Sequence, residues 1–353
     1  MKKSLLALAA LTAFAGVASA QSSVTLFGIV DLSVNSVKNG SLSQKLLSSN
    51  QLNSNRLGFR GVEDLGGGMR AGFWLEGAMN NDDGTGSATG GGQNWQRRST
   101  VSLMGGFGEV RLGRDYTPSF WNLTVFDPFG TNGLGSSLNI TSTLGSGATT
   151  LVRANNTVGY FLPAMGGVYG QVQAAAGETG AGGGTGNKYI GGRIGYAGGP
   201  VNVAAAFGKT YQDGGILGDF KEINFGGSYN LGFMSLMGTY DKRDFQPGAA
   251  AKRDQKNIMV GVMVPFGQST LKFSYNKASG NQGTNATDFD AKQIAFGYQY
   301  DLSKRTAIYA TLSSLNNDGS AATGSRFTVG QGPAMTIGGD SSKGYNLGVR
   351  HSF

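Results

Sequence analysis

Arginine is the residue type whose placement in this sequence invites a chemical reading. In an extended chain successive side chains point to opposite faces. Leu57 and Phe59 on one face therefore put Arg56 and Arg60 on the other. Val101 and Leu103 do the same for Arg98, Thr100 and Ser102, and Val158 and Tyr160 for Arg153, Asn155 and Thr157. Such assignments reverse if the register slips by one residue, and either Arg97 or Arg98 can occupy the polar face. A guanidinium stays charged at any physiological pH and is more weakly hydrated than an ammonium. Several on one wall of a narrow aqueous passage would focus the field and concentrate anions. Asp115 and Asp127 are the acids available to oppose them. Two acids against four or five arginines leave a positive balance; the bland alternative is that ion pairing cancels the field.

Other chemistry is scarce. There is no Cys, which excludes disulfides, thiolate metal sites and a Cys nucleophile, and the single His351 lies three residues from the C-terminal end. Its alternating segment puts it on the face of Tyr345, Leu347, Val349 and Phe353, near a rim and away from any enclosed site, so a Ser–His arrangement is implausible. No catalytic residue, metal site or cofactor is expected. Gly208-Lys209-Thr210 has the ending of a phosphate-binding loop, but Val203 stands where its first Gly is required. Basic residues are scattered, not gathered in a stripe, which argues against nucleic acid. Asp82-Asp83-Gly84 reads as a solvated loop in preference to a cation site.

The elements that must position these arginines are strands. Residues 1–20 read as a cleaved signal peptide: Lys2 and Lys3, an apolar stretch from Leu5 to Val17, and Ala18-Ser19-Ala20 before Gln21. Their removal leaves 27 basic against 21 acidic residues, a net charge of +6. Beyond them no run approaches the ~18 apolar residues of a membrane helix. Period-two segments of about ten residues recur instead, with centres near 28, 56, 74, 100, 111, 157, 172, 192, 206, 226, 238, 259, 274, 296, 310 and 348. Short connections (Glu63–Gly68, Gly105–Gly108, Pro163–Gly166, Ala197–Pro200, Asn230–Gly232, Pro265–Gln268, Asp301–Lys304) alternate with long polar ones such as 80–94, 179–187, 279–290 and 317–342.

A soluble sandwich would also alternate, but with more surface charge than the 14% found here and without the short–long sorting. The pattern fits an all-β chain: a 16-stranded antiparallel transmembrane barrel with apolar side chains outward and an aqueous lumen. The stretch from Tyr116 to Leu151 lacks alternation yet holds Phe120, Trp121, Phe126, Phe129, Leu134 and Leu138. A free solvent loop should not carry these, so the segment is expected to pack inside the barrel; a subunit contact is the competing reading. The 61 glycines, about 17% of the chain against a usual ~7%, then serve turns and crowded strand positions such as Gly58, Gly159, Gly191, Gly192, Gly195, Gly226, Gly227 and Gly297.

Several strings resemble the Gram-negative general porin family, in its β-proteobacterial branch: Gln21–Gly28, Asn55–Gly68, Arg97–Leu103, Phe107–Arg114, Arg153–Asn156, Leu302–Thr306 and the terminal Phe353. The resemblance spans the chain after residue 20. It implies an outer-membrane homotrimer of barrels, each a passive channel for small hydrophilic solutes and ions, whose third long loop folds inward and narrows it. It also implies an arginine cluster opposite that loop, onto which Arg56, Arg60, Arg97 or Arg98, and Arg153 map, hence an anion preference. A terminal aromatic resembles the signal read by the barrel-assembly machinery; Phe353 can also serve an aromatic girdle. Basic residues near loop tips can meet lipopolysaccharide phosphates. A substrate-specific channel, with aromatic or basic ladders along the lumen, and an outer-membrane barrel enzyme are the remaining alternatives.

Overall fold

The computed structural model describes residues 23–177, 188–211, 218–247, 251–281, 288–319 and 324–353. The expected signal peptide and the expected connection 179–187 lie outside the described residues. In chain order the elements are β1 (Ser23–Asn39), β2 (Leu42–Ser49), β3 (Arg56–Gly66), β4 (Met69–Gly77), a small hairpin β5 (Met79–Asn80) and β6 (Thr85–Gly86), β7 (Arg98–Gly105), β8 (Gly108–Tyr116) and the helix α1 (Pro118–Val125). Then come β9 (Arg153–Phe161), β10 (Val168–Ala175), β11 (Lys188–Gly198), β12 (Val201–Tyr211), β13 (Phe220–Asn230), β14 (Ser235–Phe245), β15 (Arg253–Phe266), β16 (Ser269–Asn281), β17 (Asp288–Asp301), β18 (Thr306–Asn317) and β19 (Ser341–Ser352).

Apart from the hairpin and the step from β2 to β3, each strand pairs antiparallel with the next, and β19 returns to β1 from Ile29↔Ser352 to Asn39↔Ser342. β2 and β3 both lie along β1, on its Leu32–Asn39 and Ser23–Ile29 halves, so they are two pieces of one crossing strand. The result is a closed barrel of sixteen crossings. Closure leaves no sheet edge, which a hydrocarbon surround requires.

Side-chain burial is inverted relative to a soluble protein. Val101 and Leu347 are 55% and 66% exposed, whereas Asp31, Asn224 and Gln293 are fully buried. Apolar residues face outward and polar ones inward, and this excludes the soluble sandwich.

Several connections and faces depart from the sequence expectation. β1 joins β2 through Gly40-Ser41 alone, with Gly40 at φ 60°, so short turns are not confined to one end. Much of the expected connection 279–290 is paired strand, from Ser279↔Asp290 to Asn281↔Asp288. Asn156 takes a left-handed φ of 55°, and the β8–β9 register shifts between Gly113 and Asp115. That bulge resets the alternation, because one extra residue reverses every face beyond it. Thr157 remains buried, but Ala154 is the residue paired with buried Asp115, and Asn155 is exposed, accepting a hydrogen bond from Arg114 at 2.5 Å.

The break between β2 and β3 leaves backbone groups without ladder partners. Asp31 on β1 supplies them: its Oδ2 accepts from Leu52 N at 2.8 Å and Asn53 N at 2.6 Å, and its Oδ1 from the Tyr309 hydroxyl. Asn55 Oδ1 accepts from Asp31 N at 2.6 Å.

The segment 117–152 lies within the barrel. α1 and the short helical turns after it rest on the inner faces of β10–β13 and β16–β19. Phe120, Phe126, Phe129 and Leu134 are buried there, and Leu138 is half-buried; Trp121 is 40% exposed and does not join them. The seats are inward-facing glycines. A methyl at Gly226 would overlap the Phe126 ring, and one at Gly297 would come within 2.8 Å of Phe129 Cε1. Polar side chains of the wall complete the attachment. Asn122 Nδ2 donates to Asn224 Oδ1 (2.9 Å), Gln255 Nε2 to Ile140 O (2.6 Å), and Gln293 Nε2 to Leu134 O and Ser136 O (both 3.2 Å).

Gly226→Val should unseat this segment and leave the barrel closed. Overpacking of this kind costs about 1–3 kcal/mol, and each ~1.4 kcal/mol is a factor of ten in an opening equilibrium. Amide exchange across residues 122–138 is expected to accelerate about tenfold with strand exchange unaltered. Equal protection in the variant would mean that the glycine seat does not hold the segment.

Candidate functional site

The inner wall facing the infolded segment is formed by β3, β4, β7 and β8, and the arginines collect there. Arg56↔Ile29, Arg60↔Trp74 and Arg98↔Glu76 are cross-strand pairs, so Arg60, Trp74, Glu76 and Arg98 share one face. Arg97 precedes β7 and escapes its alternation; it turns inward as well. Both Arg97 and Arg98 stand at this wall, Arg97 beside Glu76 and Arg98 beside Asp115.

Glu76 is the hub. Its Oε1 lies 2.6 Å from Arg97 Nε and 3.3 Å from Arg56 NH1, and its Oε2 accepts from Trp74 Nε1 at 3.0 Å. The Tyr116 hydroxyl accepts from Arg97 NH2 (3.1 Å) and Arg153 NH2 (2.8 Å), and Arg153 Nε donates to Arg97 O (2.8 Å). Arg153 therefore reaches the cluster from the end of β9 despite the bulge that removes Asn155 from it. Asp115 stands 2.5 Å from Arg111 NH1 and 3.8 Å from Arg98 Nε, while Glu109 binds Arg111 at 2.9 and 3.0 Å.

Aromatic rings back the guanidinium planes. Arg98 and Arg60 lie 4.5 and 5.1 Å from the Trp74 ring centre, Arg111 4.0 Å from Phe161, and Arg153 4.3 Å from Tyr116. A ring face attracts a cation within about 6 Å of its centre, which helps hold each guanidinium at the wall. Counted together, Arg56, Arg60, Arg97, Arg98, Arg111 and Arg153 face Glu76, Glu109 and Asp115, six cations against three anions.

Two expected loop acids are corrected. Asp115 belongs to β8, on the arginine wall itself, and Asp127, although on the infolded segment, is turned into it and buried. Its Oδ1 accepts from Phe129 N at 2.8 Å and its Oδ2 from Ser137 N at 2.9 Å, so it braces the segment and offers nothing to the lumen. Burial pushes its carboxyl above the usual range, against the lowering effect of those hydrogen bonds. Glu109, Arg111 and Glu76 were missed. Val110 and Leu112 facing outward would have put Glu109 and Arg111 inward. Glu76 was hidden because Trp74, an aromatic, faces the lumen with it.

Of the other singled-out residues, Lys209 pairs with Asp219 at 2.7 Å, and Asp83 serves the β5–β6 turn, where Oδ1 accepts from Thr85 N at 2.8 Å. Exposed His351 meets the Thr306 hydroxyl, 2.9 Å from Nδ1. Phe353 closes the seam, with Gly28 N donating to its carbonyl at 3.0 Å and its own N to Gly28 O at 3.1 Å.

The sequence profile of the Gram-negative porins matches residues 7–320. The chain belongs to the Gram-negative porin family. This porin is 40% identical to outer membrane porin protein 32 of Delftia acidovorans over 364 residues, covering both chains fully. Its fold is similar to that of an anion-selective porin from Comamonas acidovorans, with a TM-score of 0.84 at 35% identity over 94% of this chain and 100% of that one. It shares the fold, at 14% identity and a TM-score of 0.68, with a trimer form of OmpT of Vibrio cholerae, over 94% and 99% of the two chains. It is thus an outer-membrane channel protein and not an enzyme.

The raised Asp127 carboxyl predicts a pH dependence for the infolded segment. A carboxyl whose folded pKa is raised stabilises the fold below its unfolded value of about 3.9, and that contribution is lost as pH rises through the folded value. The segment should therefore hold at least as firmly at pH 4 as at pH 7. Asp127→Asn should abolish that difference, measured as amide exchange corrected for its intrinsic pH dependence; loosening of the native segment in acid would contradict the assignment.

Proposed function

We propose that this porin is a general diffusion channel with an anion preference, narrowest between the infolded segment 117–152 and the arginine wall, and that it works as a homotrimer. The observation that carries the reading is the excess of guanidinium groups over carboxylates on the inner wall. Arginine does not titrate in the working range, so the excess is fixed. In a water-filled passage through low-dielectric surroundings such charge raises the local concentration of counter-ions. A similar chain described as an anion-selective porin, and a trimer form among proteins of the same fold, support the same reading. Arg56, Arg60, Arg97, Arg98 and Arg153 would form the basic side, with Arg111 added. Glu76 and Asp115 would hold them in place, leaving the field in excess.

The solutes are small hydrophilic molecules, anions above all. The outer barrel surface is in contact with membrane lipid, with basic loop residues near lipopolysaccharide. Phe353 would present the last strand to the barrel-assembly machinery.

Purified protein in a planar bilayer under a potassium chloride gradient should give a reversal potential of anion sign. Replacing Arg56, Arg98 and Arg153 together by Ser removes half of the six cations and should bring it close to zero, with the heat-sensitive oligomer on gels retained. A cation-sign potential in the native protein would overturn the anion preference. Deleting Phe353 should slow accumulation of folded barrel in the outer membrane; an unchanged rate would assign that residue to the seam alone.

A further inference from the structure

We propose that the passage selects planar aromatic carboxylates over aliphatic anions of the same charge, binding them between Trp121 and the aromatic-backed arginines. The inference rests on the anion-channel reading and deepens it. Its starting point is Trp121, the large aromatic of α1 that leaves the seat. Phe120 is 6% exposed and Phe126 fully buried against the chain's own wall, whereas Trp121 is 40% exposed and lines one cavity with Arg98, Arg111 and Arg193. Buried packing does not account for a Trp left this exposed on the lumen side of the segment. One ring neighbour, Tyr116 at 5.5 Å between centres, orients it from the side of Arg153.

The facing surface is unusual for the same reason. Arg98 over Trp74 (4.5 Å), Arg111 over Phe161 (4.0 Å) and Arg193 over Tyr169 (4.7 Å) each sit above a ring. Arg193 is further pinned by Nε donating to Asn122 Oδ1 at 2.8 Å, one residue from Trp121 on the helix. A guanidinium backed on one side by an aromatic presents its other face as a flat, weakly hydrated cation. Such a surface attracts a second planar π-system by stacking, and its edge N–H groups take a carboxylate in bidentate fashion. A compact anion such as chloride or acetate can use only the charge. An aryl carboxylate uses both, with its ring between Trp121 and a guanidinium and its carboxylate on the terminal N–H groups of Arg98, since Glu109 and Asp115 already take the Arg111 edges.

The probes are benzoate, cyclohexanecarboxylate and acetate, which share one charge; the first two are of similar size and differ in planarity. Each is added to a bilayer carrying potassium chloride current through the native trimer. Benzoate should half-block the current at about one tenth the concentration that cyclohexanecarboxylate needs, a difference of about 1.4 kcal/mol. Trp121→Ala should bring the two together, and Trp121→Phe should restore most of the gap, a rescue that a loss of folding would not allow. Equal block by the two ring acids, or an undiminished gap in Trp121→Ala, would overturn the proposal. The reversal potential in potassium chloride alone separates the two levels. An anion-sign potential without ring discrimination defeats only this inference, and a cation-sign potential defeats the anion reading and this inference with it.

Discussion

Every feature of this porin answers to the need to satisfy the backbone where no water can do so. Closure of β19 onto β1 pairs the sheet edges, and the short turns keep each strand in step with its neighbour. The one crossing that departs from a continuous ladder shows how strong the constraint is. Between Ser49 and Arg56 the chain leaves the sheet, and a buried carboxylate, Asp31, takes over for the missing acceptors. A buried charge is tolerated here because each oxygen is engaged by a donor. The break also brings Ser54 within 2.7 Å of Asn132, so the infolded segment touches the barrel on the side where the ladder is interrupted.

Inversion of the apolar face decides how a segment can be held inside. With most of the apolar surface turned outward, 117–152 is held by local apolar clusters: Leu134 and Ile140 pack with Val37, Phe289, Leu315 and Val329, and Leu144 and Ala148 with Phe220 and Phe245. Two further devices add to these. Glycines open sockets in the wall for Phe126 and Phe129, where van der Waals contact is made ring to backbone. Long wall side chains, Gln255, Gln293 and Arg243, give hydrogen bonds to the carbonyls of the irregular return leg, including Arg243 NH1 to Ser142 O at 3.2 Å. An irregular backbone buried without such partners would forfeit about 1–3 kcal/mol per group. The glycine excess of the sequence is in this way tied to the lumen as much as to the turns.

The number of crossings, the faces of most strands and the position of the infolded segment follow from period two and from where it stops. The candidate site was harder to read, for reasons that can be named. Alternation identifies lumen positions only if aromatics face lipid; Trp74 faces the lumen, and with it Glu76 went unassigned. It also assumes an unbroken register, and left-handed Asn156 reset β9, so that Asn155 and Arg153 could not both be placed by counting. Arg97 lies before its strand begins, where counting has no meaning. Asp127 could be read as a lumen acid because hydropathy does not distinguish a carboxylate facing water from one capping its own loop. Arg111 was legible, since Val110 and Leu112 flank it.

Ion pairing on the arginine wall does not by itself argue against an excess positive field. Had the six guanidiniums been free to move, each carboxylate would draw two of them into compact, mutually cancelling clusters. Stacking resists this. Arg60 and Arg98 share the Trp74 ring, and Arg111 and Arg153 have rings of their own, so the cations are held along the wall at positions set by aromatics on rigid strands. Arg56 and Arg97, by contrast, are gathered on one oxygen of Glu76, while Glu109 and Asp115 fix Arg111 at another level. Arg60 has no carboxylate within ion-pair distance among the described residues, and lies between the Phe27 and Trp74 rings at 5.5 and 5.1 Å. On the anion-channel reading proposed above, such a row would offer a passing anion several moderately attractive positions in place of one deep well, and passage requires that binding be favourable enough to enter and weak enough to leave.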